Sequence, residues 1–234
     1  MFQLVATDID GTLTDKELHL NPPVVASLQR LEAHGLPVTL ATANAMPVGW
    51  ALRTYMGVTG PLIAENGGVI MIRDEIEVLG NRKLALEAFG ELRRRFPGVE
   101  ESFTNRFRSV GVSMRATGDY AVLNQFVAEH FPELRLMNST YNYHLIDATI
   151  SKGVALAKVA KLLKIDLRKV VALGDSDVDI PMFEIAGFSV AVGNASNEAK
   201  RSASRVTDAS YGEGFVEAVW EWILPEHLGR SRKR

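Results

Sequence analysis

The chain has 234 residues, 47% of them hydrophobic and 23% charged, with 26 Lys and Arg against 28 Asp and Glu. That balance excludes disorder over most of the length and leaves room for one large domain, or a medium domain carrying a smaller one. A formal charge of -2 offers no broad field to nucleic acid or anionic lipid, so neither is expected as a partner, and any anion site is made by a few local groups. The one basic run, Gly229-Arg-Ser-Arg-Lys-Arg234, reads as a solvated tail. Without Cys, disulfides, thiolate catalysis, iron–sulfur clusters and Cys-based zinc sites are excluded, and an intracellular location is the default. No stretch approaches a membrane span, and the N-terminus has no signal-peptide pattern, so the expected location is cytoplasmic.

Strands and helices alternate along the chain. Phe2–Thr7 reads as a buried strand entering Asp8-Ile-Asp-Gly-Thr12. Pro22–His34 reads as a helix, with Pro in its first turn, Val24, Leu28 and Leu31 at helical spacing, and Gly35 closing it. Leu36–Ala41 is a strand, Pro47–Met56 a helix and Pro61–Ala64 a strand; this order predicts a parallel sheet covered by helices. Val69–Ile72 and Glu75–Val78 then form a hairpin. Helices are expected over Arg82–Phe96 and Tyr120–Phe131, and strands over Val110–Arg115, Leu134–Met137 and Tyr143–Ile146. Regular alternation resumes with helix Gly153–Leu163, strand Val170–Leu173, helix Pro181–Ile185 and strand Phe188–Val192. The expected fold is α/β: a Rossmann-like core of residues 1–81 and 151–234 with a smaller α+β cap inserted at 82–150.

In an open parallel sheet, ligands bind beyond the carboxyl ends of the strands. Asp8 and Asp10, Thr42, Lys152, and Asp175 with Asp177 and Asp179 all fall at such positions. Crowded carboxylates repel one another unless a cation binds them, and hard oxygen donors favour Mg²⁺. A lysine in the same crevice suits an anionic ligand. Phosphoryl transfer uses all of these parts: a carboxylate to attack phosphorus, a second to move the proton, and a metal, a lysine, a hydroxyl and backbone N–H groups to neutralise the oxygens.

Asp8-Ile-Asp-Gly-Thr12, Thr42 after its strand, Ser151-Lys-Gly153 and Gly174-Asp-Ser-Asp-Val-Asp-Ile-Pro-Met-Phe183 resemble the four ordered motifs of the haloacid dehalogenase (HAD) superfamily of phosphatases. The resemblance implies that Asp8 is the nucleophile and Asp10 the general acid/base, and that Thr42 and Lys152 bind the transferring phosphoryl group. It also implies that Asp8, the Asp10 carbonyl, Asp175 and Asp179 hold Mg²⁺. The long interval between Thr42 and Lys152 places the insertion where this superfamily carries its C2 cap. Glu65-Asn-Gly-Gly68 is similar to the Cof-like, sugar-phosphate and archaeal phosphoglycolate phosphatase branch. The small cap and short chain are most similar to the last, which implies 2-phosphoglycolate as substrate. Sugar phosphates, mannosyl-phosphoglycerate and phosphomutase chemistry are the alternatives. The implied partner is a small phosphorylated metabolite, with a homodimer left open.

Two motifs depart from the pattern. Ala43 and Asn44 stand where many relatives carry Gly and Arg, and Val178 stands where Asn is common. Asn194 and Asn197 could supply amide hydrogen bonds to the acidic cluster, or simply form turns and caps. Thr42 could double as a helix cap. Arg106, Arg108 and Arg115 read as a solvated face, with a second anionic group of the substrate as the alternative. The five His show no metal-ligand pairing, and Asp177 reads as a solvated helix-start residue. A receiver-type phospho-Asp switch also combines acids, Thr and Lys, but the order of its elements differs, and a cap of roughly 70 residues has no purpose over a switch.

Overall fold

The computed structural model describes residues 1–116, 118–138 and 142–229; the basic run from Arg230 onward lies outside them. Strands β1 (Leu4–Thr7), β2 (Val38–Ala41) and β3 (Leu62–Ala64) alternate with helices α1 (Pro22–Ala33) and α2 (Met46–Met56). The hairpin β4 (Val69–Ile72) and β5 (Glu75–Val78) follows. Helix α3 (Arg82–Arg95) leads to β6 (Val99–Glu101), β7 (Val112–Ala116), α4 (Tyr120–His130), β8 (Leu134–Asn138) and β9 (Tyr143–Asp147). The chain then passes through α5 (Lys152–Leu163), β10 (Val170–Gly174), α6 (Ile180–Phe183), β11 (Phe188–Ala191), α7 (Asn197–Ser202), β12 (Arg205–Val206) and α8 (Tyr211–Ala218).

The larger sheet runs β12-β11-β10-β1-β2-β3-β4-β5, parallel from β12 to β3 and antiparallel beyond. Its central strands are apolar and fully buried because helices cover both faces. Alternation sorts their side chains. Val5, Val38, Leu40, Val171 and Leu173 pack with Leu28 and Leu31 of α1 and Phe215 of α8, whereas Leu4, Ala6, Val170 and Ala172 pack with Leu156 and Val159 of α5 and with Met182. The strand order reverses direction at β1 and β10, and the crevice at such a switch point is where a ligand fits.

A separate antiparallel sheet, β6-β7-β9-β8, forms the cap region. One face packs on α3 and α4 through Val112, Met114, Leu136 and Leu145. The other faces the large sheet: Met137 and Ile146 join the core beneath it. Strand β7 begins two residues later than its apolar pattern suggests. The Glu65 carboxylate accepts the N–H groups of Ser109, Val110 and Gly111 at 2.8, 3.0 and 3.2 Å, which removes them from any ladder. Likewise, the helix expected over Pro181–Ile185 begins earlier, at Ile180, after a 3₁₀ turn over Asp177–Asp179.

Gly153, in the first turn of α5, lets that helix approach α6: a Cβ there would lie 2.1 Å from the Pro181 carbonyl oxygen. Gly90, by contrast, sits in α3 with open space around it. In denaturant unfolding, Gly153→Ala is therefore expected to lose about 1–3 kcal/mol through overpacking against backbone. Gly90→Ala should gain about 0.5–1 kcal/mol from helix propensity. Equal midpoints for the two variants would contradict this packing.

Candidate active site

The loop after β1 is wound tightly. The N–H groups of Thr12, Leu13 and Thr14 all point to the Ile9 carbonyl, and the Gly11 N–H donates to the Thr14 hydroxyl at 2.9 Å. With Ile9 buried as an anchor, Asp8 and Asp10 are turned toward the crevice. Gly11 has φ +92°, and a Cβ there would fall 2.5 Å from Asp175 Oδ2; only glycine lets the loops after β1 and β10 approach this closely.

Asp8, Asp175 and Asp179 are all buried and offer carboxylate oxygens within 4.8 Å of one another. Lys152, 1% exposed, lies among them and donates to Asp8 Oδ1 at 2.5 Å and to Asp179 Oδ1 at 2.6 Å. Asp179 Oδ2 accepts the N–H groups of Asp175 and Ser176 and the Ser176 hydroxyl, each at 3.1 Å. Asp179 is thus the acid whose oxygens are most fully engaged. Among the described residues, the Asp175 carboxylate accepts the Thr12 hydroxyl alone, at 3.4 Å.

Burial raises the Asp8 carboxyl well above the usual range; Lys152 opposes the shift, while Asp179, Asp175 and Asp10 add to it. Asp175 is pushed up to about 7 by burial and then by Asp179. Burial also raises Asp10, against Lys152 and a hydrogen bond from Asn44. Burial alone would lower the Lys152 ammonium, but Asp179 and Asp8 hold it above its ordinary value. A cluster that protonates so readily has more negative charge than one ammonium can balance. Its hard oxygen donors, cradled by a glycine, fit a divalent cation.

Thr42 is fully buried at the end of β2. Its hydroxyl accepts the Asn44 N–H at 3.0 Å, and it does not cap α2, whose cap position is Ala45. The Asn44 amide donates to Asp10 Oδ2 at 2.7 Å. A cleft of about 110 Å³ is lined by Asp8, Asp10, Asn44 and Lys152 from the core and by His144 from β9. Ser176 and Val178 join it to a larger cavity of about 470 Å³ bounded by Tyr120, Arg135 and Asn138. His144 is a site residue that the sequence did not reveal; burial first, then Arg108 and Lys152, lower its imidazole to about 3 and keep it neutral. Strand alternation was the available signal, since Leu145 enters the cap's own core while His144 and Ile146 face the other way.

The remaining candidates separate. Arg108 is buried and donates to the Ala43 carbonyl at 2.9 Å, so it is not part of a solvated face. Arg106 lies over the Phe103 ring, and Arg115 is exposed on β7. Asn194 binds the Gly11 carbonyl at 3.0 Å and the Tyr211 N–H, bracing the loop rather than touching a carboxylate. Asn197 begins α7, with Ser196 as its cap. Asp177 accepts the Ser196 hydroxyl.

The sheet order, the cap sheet and the acids gathered at the β1/β10 switch point define a phosphoryl-transfer hydrolase, and the profile of the haloacid dehalogenase-like hydrolases matches residues 5–96 and 106–219. The chain belongs to that family. Phosphoglycolate phosphatases of Methanothrix thermoacetophila and Archaeoglobus fulgidus are each 37% identical to it, over 219 and 217 residues. These alignments cover 94% and 92% of this chain and 96% and 94% of theirs. The solved structure of Thermoplasma acidophilum 0175 superposes with a TM-score of 0.88 at 26% identity, covering 98% of this chain and 99% of that one. A haloacid dehalogenase-like hydrolase from Bacteroides thetaiotaomicron shares the fold, with a TM-score of 0.79 at 19% identity over 94% and 98% of the two chains. Among the described residues, no helix is long and apolar enough to cross a membrane.

A carboxyl raised by folding holds its proton longer in the folded state, so its contribution to stability falls as pH rises from the unfolded value toward the folded one. For Asp175 that window runs from the ordinary carboxyl value of 3.8 to about 7. Without metal, Asp175→Asn should therefore raise Tm at pH 7.5 and do so much less at pH 5. The same substitution should shrink the rise in Tm on adding Mg²⁺ or Mn²⁺. A metal-free Tm that falls at pH 7.5 would count against this electrostatic picture.

Proposed function

We propose that this hydrolase is a Mg²⁺-dependent phosphomonoesterase acting through an aspartyl-phosphate, with 2-phosphoglycolate as its preferred substrate. The observation that carries the reading is the convergence of Asp8, Asp10 and Lys152 with a second acidic loop at the switch point of the sheet. The substrate follows the name shared by relatives that match over nearly the whole chain. In this reading residues 1–81 and 151–234 form the catalytic core, and residues 82–150 form a cap that excludes bulk water and faces the organic part of the substrate.

Asp8 attacks phosphorus. Asp10, two residues on and lining the same cleft, protonates the departing oxygen and then deprotonates the water that hydrolyses the acyl phosphate. Burial raises the Asp10 carboxyl above the usual range, which favours its holding that proton. Asp8, Asp175 and the Asp10 carbonyl would hold Mg²⁺, with Asp179 closing the acidic side and fixing the loop. The ion, when bound, supplies positive charge to the phosphoryl oxygens. Lys152 and Thr42 serve the phosphoryl group, Lys152 by exchanging part of its bond to Asp8 for a phosphoryl oxygen. An acid/base beside the nucleophile supports turnover rather than a stored phosphoryl mark.

One observation favours a second reading. The cavity of about 470 Å³ beside the cleft exceeds what a two-carbon acid needs and is rimmed by polar groups, which suits a longer hydroxylated alcohol such as a sugar phosphate.

Asp8→Asn is expected to reduce Mg²⁺-dependent hydrolysis of p-nitrophenyl phosphate by about 10³-fold or more, since a carboxamide is not a nucleophile at this step. Near-normal turnover would remove the mechanism. A panel of 2-phosphoglycolate, mannosyl-phosphoglycerate and simple sugar phosphates should rank the first highest in kcat/KM. A low rank would shift the substrate to the second reading and leave the reaction class intact.

A further inference from the structure

Asn44 has no role in the chemistry described so far, yet it is the described side chain that hydrogen-bonds the Asp10 carboxylate, with Nδ2 to Oδ2 at 2.7 Å. Its backbone is held on every side. Its N–H donates to the Thr42 hydroxyl at 3.0 Å, and its carbonyl accepts the Glu65 N–H at 3.0 Å. Just before it in the chain, the Ala43 carbonyl accepts from Arg108 at 2.9 Å and the Thr42 carbonyl accepts the Asn66 N–H at 3.1 Å. A side chain carried on so constrained a loop can aim a second side chain with little entropic loss.

We propose that Asn44 is a positioning residue that assigns separate tasks to the two oxygens of Asp10. The inference rests on the reading of Asp10 as general acid/base. Oδ2 accepts from the amide, so the transferable proton resides on Oδ1, and the carboxyl is kept from rotating away from the cleft. In the first step a bond forms between the Asp8 oxygen and phosphorus, and the phosphorus–alcohol bond breaks. Its electron pair goes to the alcohol oxygen, which takes the proton from Asp10 Oδ1 and leaves as neutral alcohol, with Asp10 now a carboxylate. In the second step Asp10 Oδ1 takes a proton from the attacking water as phosphorus leaves Asp8.

The test compares kcat/KM for two esters in each preparation: p-nitrophenyl phosphate, whose phenolate leaves without a proton, and whichever alkyl ester ranks highest in the substrate panel. Their ratio does not depend on how much of a variant is folded. Asn44→Ala should reduce kcat/KM about 10- to 100-fold on the alkyl ester and less than about 3-fold on the aryl ester, as expected when only general acid catalysis is lost. Asn44→Asp, nearly the same shape but unable to donate when ionised, should lose at least as much on the alkyl ester. Asp10→Ala serves as the reference and should show the same discrimination more strongly. Equal losses on both esters in Asn44→Ala, or an Asn44→Asp enzyme resembling wild type, would overturn the positioning role while Asp10→Ala still discriminates. Equal losses in Asp10→Ala would remove the acid/base reading of Asp10 and this inference with it.

Discussion

The Lys152 ammonium, buried between Asp8 and Asp179, is the interaction on which the rest of the site depends. Taking these charges out of water costs several kcal/mol per ion, and their attraction offsets that cost only where geometry and further hydrogen bonds are good. Both conditions hold here. Lysine bonds of 2.5 and 2.6 Å fix the Asp8 rotamer and one oxygen of Asp179. The other oxygen of Asp179 closes the turn after β10 through two N–H groups and a hydroxyl. One cation thus joins the ends of β1 and β10 to the start of α5, whose N-terminal dipole lies on the acidic side as well. The contact of Gly153 with α6 lets α5 come near enough for the lysine to reach.

The cap region is tied to the core by a different device. Glu65 and Asn66 both adopt left-handed backbone, at φ 51° and 56°, which is costly for side-chain-bearing residues. That turn lets the buried Glu65 carboxylate satisfy three consecutive cap N–H groups that would otherwise be orphaned below the cap. Beside it, Arg108 gives a guanidinium N–H to the Ala43 carbonyl. Burial lowers Arg108 to about 10, and the nearby Glu65 charge opposes that shift. The joint between cap and core therefore adds directional hydrogen bonds to backbone to the apolar contacts of Met137 and Ile146.

Much of this was legible in the sequence because parallel strands buried on both faces must be continuous apolar runs. The polar residues that interrupt such runs at their ends are then conspicuous: Asp8 after β1, Thr42 after β2, Asp175 after β10. Glycine and proline gave the turns for the same local reason. What could not be read was any pairing between residues distant in the chain. Asn44 registered only as a missing arginine, although it holds Asp10. Arg108 looked like surface, because its burial depends on a carbonyl 65 residues away. Asn194 offered an amide without saying whether it would meet a carboxylate or the Gly11 carbonyl. The start of β7 was misplaced because Val110 and Gly111 look like strand, and only the Glu65 carboxylate decides otherwise.

The near-neutral net charge conceals how unevenly charge is spent. Around Asp8, the core presents carboxylates, one ammonium and a lattice of backbone hydrogen bonds, groups that on the proposed function address a phosphoryl unit whatever alcohol it carries. The inward face of the cap sheet is chemically different. It brings a neutral imidazole at His144 to the cleft and Arg135 to the adjoining cavity. Recognition of this kind discriminates by leaving a buried polar group unpaired when the wrong alcohol enters. On the proposed function, the division between reaction and recognition follows the division between the two sheets.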